Sequence, residues 1–80
     1  MRRGRPIPVL RLAPPEREAL ERWSRRPKTA QALAQRARII LACAAGAANS
    51  DAAAQLRVTR QTVGRWRARF LKKRLDGLLD

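Results

Sequence analysis

The chain has 80 residues, of which 19 are Lys or Arg and 6 are Asp or Glu, so its formal net charge is +13. A chain this short buries only about 60% of the surface that it exposes when unfolded, which argues against a large enclosed active site and predicts one small domain. The excess of positive charge favours a polyanionic partner, with nucleic acid as the leading candidate.

Composition also disfavours metal sites and membrane spans. The chain has no histidine and a single cysteine, Cys43, so we expect no metal, no cofactor and no internal disulfide. Cys43 lies in an alanine-rich stretch, where a small buried filler is expected. The longest apolar run, residues 39–48, is shorter than the roughly 20 residues of a membrane span. We therefore expect a soluble, cytoplasmic protein with no membrane partner and no small-molecule substrate.

Residues 1–14 are predicted to form an extended basic arm. The stretch MRRGRPIPVLRLAPP holds four of the five prolines, which disfavours a helix. Within it, Arg3, Gly4, Arg5 and Pro6 resemble the core of an AT-hook, whose arginines follow the floor of a narrow minor groove. Two interpretations stay open, a solvated basic tail and an arm that enters the minor groove.

Residues 15–75 are predicted to form a bundle of about four helices. The first helix, PPEREALERWSR, begins with proline and glutamates, which suit the positive end of a helix. The second is capped by Thr29 and ends at Gly46. Its apolar residues recur at helical spacing, namely Leu33, Ala37, Ile40, Leu41 and Ala44. The third helix is short, SDAAAQL, and is capped by Asn49 or Ser50.

The fourth helix follows the three-residue turn RVT. Thr59 caps it, it runs to about Arg74, and Val63, Trp66 and Phe70 form its buried stripe. Residues 52–75 carry eight basic side chains and no acidic one. Residues 76–80 are predicted to be a tail or the start of a linker. With no period-two alternation to indicate a strand, the fold class is predicted to be all-α.

A short helix, a tight turn and a longer basic helix form a helix-turn-helix, which places its second helix in the major groove. Arg pairs with guanine and Gln with adenine there. The predicted base contacts are Thr59, Arg60, Gln61, Gly64, Arg65 and Ala68. Side chains further along or to the side are better placed for phosphates, and the predicted phosphate contacts are Thr62, Arg67, Arg69, Lys72, Lys73 and Arg74.

The segment AAAQLRVTRQTVGRWRARF resembles the helix-turn-helix of bacterial insertion-sequence transposases of the mariner-type superfamily, which read terminal inverted repeats. The segments GRPIPVLRLAPPEREALERW, KTAQALAQRARIILACAAG and RLDGLLD resemble the start, middle and end of that family's N-terminal DNA-binding region. The resemblance implies a homeodomain-like fold and a role in transposition and DNA recombination. It also implies turn, cap, contact and core roles for Val58, Thr59, Gln61, Thr62, Val63 and Trp66.

The chain differs from the family's pattern at one residue of the turn, and its 80 residues do not include the family's catalytic acidic residues. Arg57 stands where the family usually has glycine, which is unfavourable if the turn needs a positive φ. The catalytic acidic residues of that family lie in a larger ribonuclease-H-like domain, so we expect these residues to bind double-stranded DNA and not to act as an enzyme. A homodimer on DNA stays open, and the main alternative is a free-standing transcriptional regulator. Binding to anionic membranes, acidic proteins or RNA is less favoured.

Overall fold

The computed structural model describes residues 10–26 and 29–79. These residues form α1 (Pro14–Arg25), α2 (Gln31–Ala44), α3 (Asn49–Leu56), α4 (Arg60–Lys73) and a closing 3-10 helix (Arg74–Leu78). No strand occurs in this part of the chain, and the all-α prediction is confirmed. The predicted minor-groove residues Arg3, Gly4, Arg5 and Pro6 lie outside the described residues.

Helix α2 lies at the centre of the bundle and packs against α1, α3, α4 and the 3-10 helix. Small residues such as Ala37 and Ala52, both fully buried, let neighbouring helices approach closely. Cys43 is buried in the same core, where desolvation raises the pKa of its thiol. The largest fully buried side chains come from α1, α2, α4 and the 3-10 helix, and they are Phe70, Leu20, Ile39, Ile40, Leu78 and Val63. One continuous core therefore joins these elements.

Two of the three predicted side-chain caps are absent. Helix α2 begins after Ala30, and α3 begins after Ala48, and neither N-cap has a side-chain hydrogen bond. Thr29 stands one residue too early to cap α2. Asn49 lies already inside α3, where its side chain accepts a hydrogen bond from α4 instead. A cap depends on the residue at which a helix begins, and α2 begins one residue later, and α3 one or two residues earlier, than the predicted caps require.

Residues at both ends of the described chain are buried where an extended arm and a tail were predicted. Leu10, which falls within the predicted arm, is only 2% exposed and belongs to the core. At the other end, the 3-10 helix buries Gly77 and Leu78 where a tail or linker was predicted. A Cβ atom at Gly77 would collide with the backbone oxygen of Arg69. Glycine is therefore required there, because the 3-10 helix folds back tightly against α4.

An ion pair joins the start of α1 to the end of α4. The two oxygens of Glu16 accept hydrogen bonds from Nε and a terminal nitrogen of Arg74, at 2.9 and 2.8 Å. Glu16 also accepts a hydrogen bond from the backbone N–H of Ala13, at 2.9 Å. The same terminal nitrogen of Arg74 donates to the backbone oxygen of Arg11. Arg74 has a φ of 55°, a strained value for a non-glycine residue that these contacts help to hold in place.

This ion pair makes the stability of the domain depend on pH. The hydrogen bond from Arg74 keeps the pKa of Glu16 below its usual value of 4.5, against the opposing effect of burial. A carboxylate with a lowered folded-state pKa stabilises the domain above its unfolded pKa, and that stability is lost as pH falls through the folded pKa.

We therefore expect the free energy of unfolding to decline as the pH falls below about 4.5. The decline should be shallower in Glu16→Gln, because that variant has no carboxylate to protonate. Urea unfolding of both proteins between pH 3 and pH 7 measures the difference. Equal pH dependence would show that Glu16 does not carry the effect.

Candidate nucleic-acid interface

The short helix α3, a tight turn and α4 form the predicted helix-turn-helix. The turn begins at Arg57, which has the left-handed conformation with φ 60° and ψ 43°. The backbone N–H of Val58 donates to the oxygen of Ala53 at 3.0 Å and closes the end of α3. Thr59 is the N-cap of α4, and its hydroxyl accepts a hydrogen bond from the N–H of Thr62 at 3.0 Å. The predicted cap at Thr59 is confirmed.

The conformation of Arg57 leads to a prediction about stability. A side chain costs about 1–2 kcal/mol in the left-handed region, whereas glycine adopts it freely but loses more entropy on folding. We expect Arg57→Gly to raise the free energy of unfolding by about 0.5–1 kcal/mol, measured by urea denaturation. Arg60→Gly is the control, since position 60 begins α4 and glycine should destabilise a helix. A destabilised Arg57→Gly would contradict the prediction.

The two faces of α4 are separated by helical periodicity. Val63, Arg67 and Phe70 are buried and face the core. Residues on the opposite side recur at intervals of four, three and four, and all are exposed; they are Gln61, Arg65, Ala68 and Lys72, which we call the outer stripe. Of the predicted base-contact residues, Thr59 and Arg60 are also exposed, and Gly64 is half-buried. The predicted base contacts therefore lie on the solvent side of α4 or at its beginning.

Three of the six predicted phosphate contacts are engaged within the protein. Arg67 is 8% exposed, and one of its terminal nitrogens donates to Oδ1 of Asn49 at 3.4 Å. Nε of Arg69 donates to the backbone oxygen of Gly77 at 2.9 Å. Arg74 is held by Glu16. These contacts turn the three arginines towards α3, the 3-10 helix and α1, which argues against their predicted role at phosphates.

The other three predicted phosphate contacts stay at the surface. Lys72 and Lys73 are exposed at the end of α4. The Thr62 hydroxyl is half-buried and lies 3.0 Å from the hydroxyl of Thr59. The surface left for phosphates is therefore smaller than the sequence predicts, and Lys72 and Lys73 are its charged members.

The inward position of Arg67 was detectable in the sequence. Residues 63, 67 and 70 are spaced four and three apart, which is the spacing of one helix face. Assigning every arginine of α4 to the basic face overlooked this periodicity.

The predicted core residue Trp66 is half-buried, at the edge of the buried face of α4. The guanidinium carbon of Arg36 lies 4.1 Å from the centre of its ring, and that of Arg69 lies 5.3 Å away.

Arg36 connects α2 to the end of the chain, a role that the sequence did not predict. One of its terminal nitrogens donates to the backbone oxygen of Leu78 at 2.9 Å. The same side chain covers Trp66, in an arrangement that favours cation–π attraction. Arg36 is therefore a packing residue that holds α4 and the 3-10 helix against α2. The Trp66 ring is covered by two guanidinium groups as well as by apolar side chains.

Gly64 lies on α4 beside the beginning of α3, where two explanations for it stay open. It lets the backbone of α4 approach a DNA groove closely, or it only weakens the helix. A Cβ atom at position 64 would lie 3.6 Å from Nδ2 of Asn49, which is an ordinary van der Waals distance. Alanine therefore fits into the folded protein without any shift.

We expect Gly64→Ala to raise the free energy of unfolding by about 0.5–1 kcal/mol, because alanine favours a helix over glycine. Thermal or urea unfolding measures this change. Duplex affinity of the same variant then separates the two explanations, since a methyl group that lowers affinity would indicate close approach of DNA. Ala68→Gly, the reverse change at an exposed position on the same helix, should destabilise by a similar amount.

Neither a metal cluster nor a membrane span is found in the described part of the chain. Residues 10–26 and 29–79 contain no group of three or more His, Cys, Asp or Glu side chains that would hold a metal ion. None of the helices there combines the length and the apolar character needed to cross a bilayer.

Comparison with known proteins supports the helix-turn-helix. A family model described as a homeodomain-like domain matches residues 30–79, which span α2, α3, α4 and the 3-10 helix. No curated protein and no solved structure matches the chain significantly. Helix α1 lies outside the matched region.

Proposed function

The chain belongs to the homeodomain-like domain family, and from this membership we propose that it binds specific sequences of duplex DNA by placing α4 in the major groove. The single observation that carries the proposal is the outer stripe. It combines Gln61 and Arg65, whose side chains pair with adenine and guanine, with a lysine suited to phosphate. All three are exposed, and no acidic residue interrupts residues 52–75.

We further propose that the DNA sequence recognised is a terminal inverted repeat of a bacterial insertion sequence. The support is the resemblance of the helix-turn-helix and of its three flanking segments to the DNA-binding region of mariner-type transposases. In this role the residues position the ends of the element during transposition, and strand cleavage is carried out by a catalytic domain. The binding would take place in the cytoplasm, where bacterial DNA lies.

Selection from a random duplex library at physiological salt tests the proposal. The purified chain should enrich one motif, and copies of that motif should occur in inverted orientation at both ends of the element that encodes the protein. Enrichment of a motif that occurs only upstream of a gene would instead favour a free-standing transcriptional regulator. Retention without any enriched motif would contradict sequence-specific binding altogether.

The salt dependence of affinity provides a second test. The exposed cations of the turn and α4 are Arg57, Arg60, Arg65, Lys72 and Lys73. If the three that lie outside the predicted base contacts, Arg57, Lys72 and Lys73, neutralise phosphates, the plot of log affinity against log salt concentration has a slope of about −3. A slope near zero would remove the electrostatic basis of the proposal.

A further inference from the structure

An open depression of about 540 Å³ lies between the end of α1 and the start of α2. Arg25 and Arg26 line it from the α1 side, and Gln31, Gln35 and Arg38 line it from α2. All of these side chains carry N–H donors. No described residue lining the depression is acidic, so its surface is built to accept an anion.

The three arginines differ in how they are held. Among residues 10–26 and 29–79, no ion pair involves Arg25 or Arg26, and both are exposed. Arg38 donates one hydrogen bond from a terminal nitrogen to the backbone oxygen of Ser24, at 2.9 Å. That bond fixes the Arg38 guanidinium across the depression, so little side-chain entropy is lost when it meets a ligand.

The backbone adds to the positive character of the same place. Helix α2 begins at the depression, and its N-cap Ala30 provides no side-chain hydrogen bond. The first N–H groups of a helix without such a cap point outwards and carry the positive end of the helix dipole. The depression is therefore lined by two arginines at the end of α1, by one arginine of α2 and by the uncapped start of α2.

We propose that this depression, which we call the α1–α2 site, binds a phosphate of the DNA backbone. The proposal rests on the proposed function for its ligand, but it uses residues that α4 does not contribute. Arg25 and Arg26 also lie outside the matched homeodomain-like region, residues 30–79. The domain would then hold DNA at two separate surfaces, with α4 reading bases and the α1–α2 site adding affinity that is independent of sequence.

A double variant, Arg25→Gln with Arg26→Gln, tests the site against a matched control. The control is Arg17→Gln with Arg22→Gln, which removes the same charge from exposed positions of the same helix outside the lining. Affinity for a duplex of fixed sequence is measured at several salt concentrations. Loss of the single phosphate contact should make the slope less negative by about 0.9, so we expect a change of that size in the first variant and none in the control.

The outcomes separate this proposal from the proposed function. An equal change in both variants would mean that only the overall charge matters, and an unchanged slope in both would mean that α1 does not meet DNA. Either result overturns the α1–α2 site while wild-type binding and sequence preference stand. Failure of the wild-type chain to bind any duplex at low salt would overturn both proposals. Circular dichroism of each variant confirms that α1 remains folded.

Discussion

Leu78→Ala is expected to destabilise the domain by about 2–5 kcal/mol, the range for a large-to-small change in a packed core. The Leu78 side chain is fully buried, although it lies two residues from the end of the sequence. It belongs to the 3-10 helix, which folds back on α4 and also contacts α2. Small domains are stable by only about 5–15 kcal/mol, so this one substitution removes a large share of the total.

The neighbouring leucine provides the control. Leu79 is 54% exposed, and Leu79→Ala should change the free energy of unfolding by no more than about 0.5 kcal/mol. Chemical denaturation of both variants measures the contrast. Similar, small effects at both positions would mean that the end of the chain does not pack as described.

Arg65→Ala is expected to weaken binding to the recognised DNA sequence by about 1–3 kcal/mol, which corresponds to a loss of roughly 5- to 150-fold in affinity. Arg65 lies in the middle of the outer stripe and is exposed, so its removal should not disturb the core. A side chain that reads a base also sets the preference at that base. The variant should therefore tolerate changes at one position of the site that the wild-type protein rejects.

Lys73→Ala distinguishes the recognition of bases from electrostatic attraction that does not depend on the DNA sequence. Lys73 is exposed at the end of α4 and carries the same charge as Arg65, and its loss should weaken binding to recognised and random DNA alike. Gln61→Ala should behave as Arg65→Ala does, at a different position of the site. If all three variants lose affinity equally on recognised and random duplexes, the assignment of base contacts to the outer stripe is wrong.

The sequence predicted the helices well because their signals are local. Apolar spacing identified all four, and the prolines, Gly46 and Thr59 marked several of their ends. The left-handed residue at Arg57 was anticipated from a family resemblance, since glycine is usual in that turn. In each of these cases the deciding interactions lie within a few residues of one another.

Sequence reasoning did not anticipate contacts between residues that are far apart in the chain. Arg74 was predicted to contact phosphate because it lies at the end of a basic helix, and in the structure it pairs with Glu16, on the first helix of the chain. No local pattern connects these two residues. The same reasoning explains the end of the chain, because Leu78 is buried through contacts with α2 and α4 that its own neighbours in sequence do not reveal.

The contact between Arg74 and the backbone of Arg11 also joins the segment that precedes α1 to the 3-10 helix. Arg11 is the second described residue, and Arg74 opens the short 3-10 helix with which the fold closes. The first described residues are thus held beside the residue that follows the end of α4. A break in this contact would therefore loosen the segment before α1 and the 3-10 helix together.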